Sequence, residues 1–119
     1  VSGFLQNNRN VSKVIYPNGS DKNRKYLNKN LYGNLIGFHI DKGYEACKTF
    51  IDNLKLFYHV ANIGDVRSLA IHPSSTTHSQ LSKEDQKKAG VFDNYVRLSI
   101  GIEHIDDIID DLDNALNLI

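Results

Sequence analysis

The stretch from Tyr95 to the C-terminus limits the folds open to this chain more than any other. Val96, Leu98 and Ile100 alternate with Tyr95, Arg97 and Ser99, the period of an extended strand with one apolar face. Beyond Gly101, Ile105, Ile108, Ile109, Leu112 and Leu116 line one face of a predicted helix, and Asp106, Asp107, Asp110, Asp111 and Asp113 take the opposite one. Acids in the first turn suit the positive end of the helix dipole, and the acidic face reads as solvated or as a seat for a cation or basic partner. A strand and a helix that are each apolar on one side bury those sides against each other, which points to a layered fold.

The remaining elements are of the same kind. Val1, Phe4 and Leu5 stand at helical spacing with no capping residue before them, as if the chain opened partway through a helix, and truncation is the expected cause. Val14 to Tyr16 is a short apolar run closed by the turn chemistry of Pro17-Asn18-Gly19-Ser20. Asp21 to Asn34 reads as a polar surface excursion, with Lys22, Arg24, Lys25 and Lys29 forming either a solvated basic cluster or a phosphate contact. Leu35 to Ile40 is a predicted strand in which Gly37 marks a bulge or a place where a neighbour approaches closely. Asp41 is a candidate cap for a helix from Gly43 to Leu54, with Cys47, Phe50, Ile51 and Leu54 on its apolar side. Leu56 to Val60 and Ser68 to Ile71 are further strands, spaced as for an antiparallel pair. Ser82 and Asp85 suit the start of a short helix, Lys83 to Lys88, ended by Gly90. Strands and helices without regular alternation indicate a single α+β domain, an antiparallel sheet of about four strands with helices on one face.

Composition removes several function classes. With 14 basic and 14 acidic residues the formal net charge is zero, so nothing global favours nucleic acid or an anionic membrane, and partners must be recognised locally. The single cysteine, Cys47, has no internal disulfide partner and reads as a small buried hydrophobe. No apolar run is long enough to span a membrane and no signal-peptide pattern opens the chain, so a cytoplasmic location is expected.

The chemistry-bearing residues cluster from Asn62 to Gln80 and at Arg97. His72, His78 and Asp65, with Ser74, Ser75 or Ser79, permit a metal site or a Ser-His-Asp arrangement to be drawn. However, no HExxH, zinc-type Cys/His pairing or GxSxG elbow supports either, and both histidines are expected to be structural. Arg97, on the polar face of its strand, offers a planar fork of donors that suits a carboxylate, or else a surface ion pair. Without further context Asn62 reads as a turn residue and Thr77 as a loop hydroxyl.

Taken together, Gly64, Ser68-Leu69, His72-Pro73, Thr77-His78, the run Val96 to Gly101, Glu103 and Asp106-Asp107 resemble the C-terminal domain of the pyridoxal-phosphate enzymes of cysteine and methionine metabolism. Those enzymes include cystathionine lyases and synthases, methionine γ-lyase and O-acetylhomoserine sulfhydrylase. Asn62 to Asp65 and the run His72 to Ser82 are most similar to the sulfhydrylase branch, because the lyases usually carry serine where Asn62 stands and methionine before the Thr-His pair. The resemblance covers essentially the whole chain.

It implies the C-terminal domain of a fold-type I enzyme, with Arg97, Asn62 and Thr77 holding the substrate α-carboxylate. The whole protein would convert O-acetyl-L-homoserine and sulfide to homocysteine and acetate, as a homotetramer. Pyridoxal 5′-phosphate needs a covalent lysine, an acid at the ring nitrogen and phosphate donors. In the family these come from a larger upstream domain, and the lysines here, including Lys13, lack the corresponding context. No catalytic, cofactor-binding or metal residue is therefore expected in this chain, which should be inactive alone. The alternatives are the corresponding domain of a cystathionine γ-synthase or of a methionine or cystathionine γ-lyase, and a stand-alone amino-acid-binding module.

Overall fold

The computed structural model describes residues 1–17, 25–26 and 32–119. The predicted turn at Asn18-Gly19-Ser20, most of the polar excursion, and Lys22, Arg24 and Lys29 of the basic cluster lie outside the described residues.

Five strands form one sheet in the order β1-β2-β5-β4-β3: β1 (Val11–Ile15), β2 (Leu35–Ile40), β3 (Tyr58–His59), β4 (Leu69–Ile71) and β5 (Tyr95–Ser99). The helices are α1 (Ser2–Asn7), α2 (Gly43–Asp52), α3 (Lys83–Lys88) and α4 (Ile105–Leu116), with a 3-10 turn at Pro73–Ser75. The α+β layering is as expected, and three corrections concern its details. The sheet has a fifth strand, β1, at the edge, where an exposed Ser12 and Lys13 break the apolar run that would have announced it. The third strand is only two residues long and runs parallel to β4, whereas the spacing suggested an antiparallel pair. At the start of the expected strand Leu56 to Val60, the amides of Leu56 and Phe57, and that of Lys55 before them, are taken by the carboxylate of Asp111 in α4, at 2.9, 3.3 and 2.9 Å. Asp111 is accordingly buried and does not share the solvated face of its helix. Finally, α2 is capped at Lys42 without a side-chain hydrogen bond and not by Asp41. The turn out of β2 is made by Gly43 at φ 78°, a conformation that suits glycine.

Register assigns the two faces of the sheet. Phe38 pairs with Val96, and Ile36, Leu98 and Ala70 form the next row of the same face. Leu5 of α1, Phe50 of α2, and Ile108, Leu112 and Leu116 of α4 cover those rows to make the core. Phe38 and Phe50 meet edge to face, with centroids 5.6 Å apart. Cys47 is fully buried there, and burial pushes its thiol up to about 12, so it is the inert hydrophobe its position suggested. The ends of the described fold are tied together, since Asn10 Nδ2 donates to Leu116 O at 2.9 Å. The opposite face carries Gly37, Tyr95 and Arg97.

Candidate substrate-carboxylate site

Arg97 sits in β5 across from Gly37 of β2 and Ile71 of β4, so alternation along β5 directs it away from the core. Its Nη2 donates to the carbonyls of Ala61 at 2.9 Å and Asn62 at 3.3 Å. Its Nε is buried and has no hydrogen-bond partner among the described residues. A buried donor left unmade costs about 1–3 kcal/mol, so the arrangement calls for an acceptor beside Nε. A carboxylate matches the fork of a guanidinium in both shape and charge.

The loop that presents those two carbonyls is pinned at two points that follow them. At the first, Gly64, at φ 77°, donates its amide to Ser99 Oγ at 3.2 Å, and Asn34 Nδ2 donates to the same oxygen at 3.1 Å. At the second the Glu103 carboxylate accepts from the Ser68 amide at 2.6 Å and the Ser68 hydroxyl at 2.9 Å, while Gly101 N donates to Ser68 Oγ at 3.0 Å. A Cβ on Gly101 would lie 2.5 Å from backbone atoms of both Val66 and Arg67, which is why no side chain stands there. Burial would raise the Glu103 carboxyl, but the hydrogen bonds from the Ser68 amide, its own amide and the Ser68 hydroxyl together hold it below the usual carboxylate value. Ser68, Gly101 and Glu103 all belong to the motif run. Their role, gripping the loop that orients Arg97, depends on contacts between residues far apart in the chain.

Beside Arg97 lies a groove of about 750 Å³ bordered by Lys13, Ile15, Tyr32, Gly37 and Tyr95. Among the described residues two cations and no carboxylate line it, an electrostatic setting for an anion. Of the other residues expected at the site, Asn62 meets Arg97 through its backbone carbonyl, and its side chain is exposed. Thr77 is also exposed, and its hydroxyl lies 2.9 Å from Nδ1 of His78 with no hydrogen bond to Arg97 or Asn62 among the described residues. Carbonyl acceptors such as that of Ala61 leave no mark in sequence, which is why that contact was not anticipated.

The histidine arrangements do not form. His72 is buried with Nε2 2.9 Å from the Asp93 carbonyl and Nδ1 2.9 Å from Ser75 Oγ. Asp65 instead accepts from the Arg67 amide at 3.1 Å. Ser74 bonds to Gln86 and Asp93, and Asp93 pairs with Lys83. No group of metal-ligating side chains occurs among the described residues.

Residues 1–117 match the family of Cys/Met metabolism PLP-dependent enzymes. The chain belongs to this family. O-acetyl-L-homoserine sulfhydrylase of Leptospira meyeri is 50% identical over 98% of this chain and 27% of its own length. O-acetyl-L-homoserine sulfhydrylase 1 of Thermus thermophilus is 53% identical over 98% of this chain and 28% of its own length. A crystal structure from Campylobacter jejuni, described as an O-acetylhomoserine (thiol)-lyase and carrying N′-pyridoxyl-lysine-5′-monophosphate, superimposes with a TM-score of 0.88 at 42% identity, over 98% of this chain and 28% of that one. The chain thus spans little more than a quarter of the length of these Cys/Met metabolism enzymes.

The family's cofactor needs a covalent lysine, an acid at its ring nitrogen and donors for its phosphate. Every described lysine is solvent-exposed, and among the described residues the groove beside Arg97 holds no acid to face a pyridine nitrogen. These residues do not fit the pyridoxal group itself. No helix among the described residues is long and apolar enough to cross a membrane.

Proposed function

We propose that this chain is the C-terminal, substrate-orienting domain of a pyridoxal-phosphate-dependent O-acetyl-L-homoserine sulfhydrylase. The whole protein would exchange the acetoxy group of O-acetyl-L-homoserine for sulfide, giving homocysteine and acetate. The observation that carries the reading is the Arg97 guanidinium, fixed by two loop carbonyls through one nitrogen while its buried Nε has no acceptor among the described residues. The substrate α-carboxylate would take that donor, with Asn62 and Thr77 completing its surroundings. The cofactor, held outside this domain, supplies the electron sink for carbanion chemistry when bound. This chain's part is to fix the amino acid by its carboxylate, so that the bonds at Cα meet the reactive groups in one orientation. On this reading the isolated domain is inactive, and the intact protein is a cytoplasmic homotetramer.

Steady-state kinetics of the full-length protein test the assignment. Removing a charge-assisted bond to a bound carboxylate costs about 1.5–3 kcal/mol, so Arg97→Ala should lower kcat/KM for O-acetyl-L-homoserine by about 10- to 150-fold, with the KM for sulfide little changed. An unchanged kcat/KM for the amino acid would remove the assignment.

A further inference from the structure

Arg97 lies in a row with Ile15, Gly37 and Ile71 across β1, β2, β5 and β4, and the neighbouring row holds Lys13, His39 and Tyr95. Gly37 leaves an open strip directly opposite Arg97, and the Tyr95 ring fills it. A Cβ built on Gly37 would lie 2.7 Å from Cε2 and 2.9 Å from Cζ of that ring, and closer still to its hydroxyl oxygen. This is the close approach that a glycine in the middle of an apolar strand permits. The ring also packs against His39, with centroids 5.3 Å apart, and His39 Nδ1 lies 3.0 Å from Asn94 Oδ1. Tyr95 and Arg97 border the same groove. Burial raises the Tyr95 phenol while the Arg97 charge acts against that rise, as two close groups require.

We propose that Tyr95 is a positioning residue for Arg97: its ring, laid into the strip opened by Gly37, keeps the guanidinium off β2 and turned toward the carbonyls of Ala61 and Asn62. An arginine beside an empty strip has several rotamers in reach, and the two carbonyl bonds hold only one of its nitrogens. The ring removes the rotamers that lie over β2, so Nε is presented to the incoming carboxylate at one place. The inference rests on the carboxylate role of Arg97 argued above.

The test uses the full-length enzyme with Tyr95→Phe, Tyr95→Leu and Gly37→Ala, the last of which displaces the ring from the other side. Tyr95→Phe keeps the ring and should stay within about twofold of the parent in all parameters. Tyr95→Leu and Gly37→Ala should each raise the KM for O-acetyl-L-homoserine by about tenfold or more, as loss of a uniform binding contact does, leaving kcat and the KM for sulfide within about threefold. An unchanged KM in both variants, or a rise in the KM for both substrates together, overturns the inference. Arg97→Ala measured alongside separates the two readings. If it lowers kcat/KM for O-acetyl-L-homoserine while Tyr95→Leu and Gly37→Ala leave the KM unchanged, only the positioning role fails; if it leaves kcat/KM unchanged, the carboxylate reading fails and takes this one with it.

Discussion

Two carboxylates, Glu103 and Asp111, each receive backbone amides from a distant part of the chain. Glu103 grips Ser68 by its amide and hydroxyl, and through Ser68 the start of β4. Glu103→Gln keeps the shape but loses the charge, and should lower unfolding stability by about 1–3 kcal/mol in urea titration. Because the loop at Ala61 and Asn62 is anchored there, the same variant should also raise the KM for the amino acid in the whole enzyme. Asp111 accepts three amides within a buried site, so Asp111→Ala leaves those donors unmet. We expect a loss of about 2–4 kcal/mol, with Asp111→Asn losing roughly half as much because one amide oxygen still accepts. A variant as stable as the parent would show that water replaces the carboxylate.

At the level of elements, local pattern was a good guide where an element follows its own period and a poor one where a distant group intervenes. The strand at β5 and most of the stripe of α4 were legible because Val96 and Leu98, and Ile108, Leu112 and Leu116, are buried as their spacing requires, whereas Ile105, in the first turn of the helix, is exposed. The short helix α3 was legible from its cap, since Ser82 Oγ accepts from the Asp85 amide at 3.1 Å. Ser82→Ala should cost about 1 kcal/mol, seen as a fall in thermal midpoint or as faster amide exchange in α3. Asp111 was misread because its position beside Ile108 and Ala115 is a flank of the helix, where an acid is solvated or buried according to what the neighbouring segment offers. For the site, Arg97's outward direction could be read from alternation, and its proposed task from the family motif. The Ser68–Glu103 grip and the Ala61 carbonyl could not be read, because the residues concerned are joined only by the fold.

For the molecule as a whole, acid is the expected weakness. Burial lowers the His72 pKa below its ordinary 6.5, so unfolded chains bind its proton more readily and its contribution to stability is lost as pH falls below about 6.5. Asp93, lowered by its hydrogen bonds to Lys83 and then Ser74, and Glu103, lowered by the Ser68 bonds, contribute stability that is full above the ordinary carboxylate range and lost as pH falls through it. Thermal unfolding followed against pH should therefore decline in two stages, the first beginning near pH 6.5 and the second near pH 4. A single stage near pH 4 would show that His72 titrates normally. The hydrogen bond from Asn10 to the carbonyl of Leu116 bears on how such a domain is made. Helix α4 closes the core over β2 and β5, and its Asp111 gathers residues 55–57. A ribosome synthesising this stretch therefore holds an open sheet until α4 has cleared the exit tunnel, and chaperones have their longest opportunity to bind it in that interval.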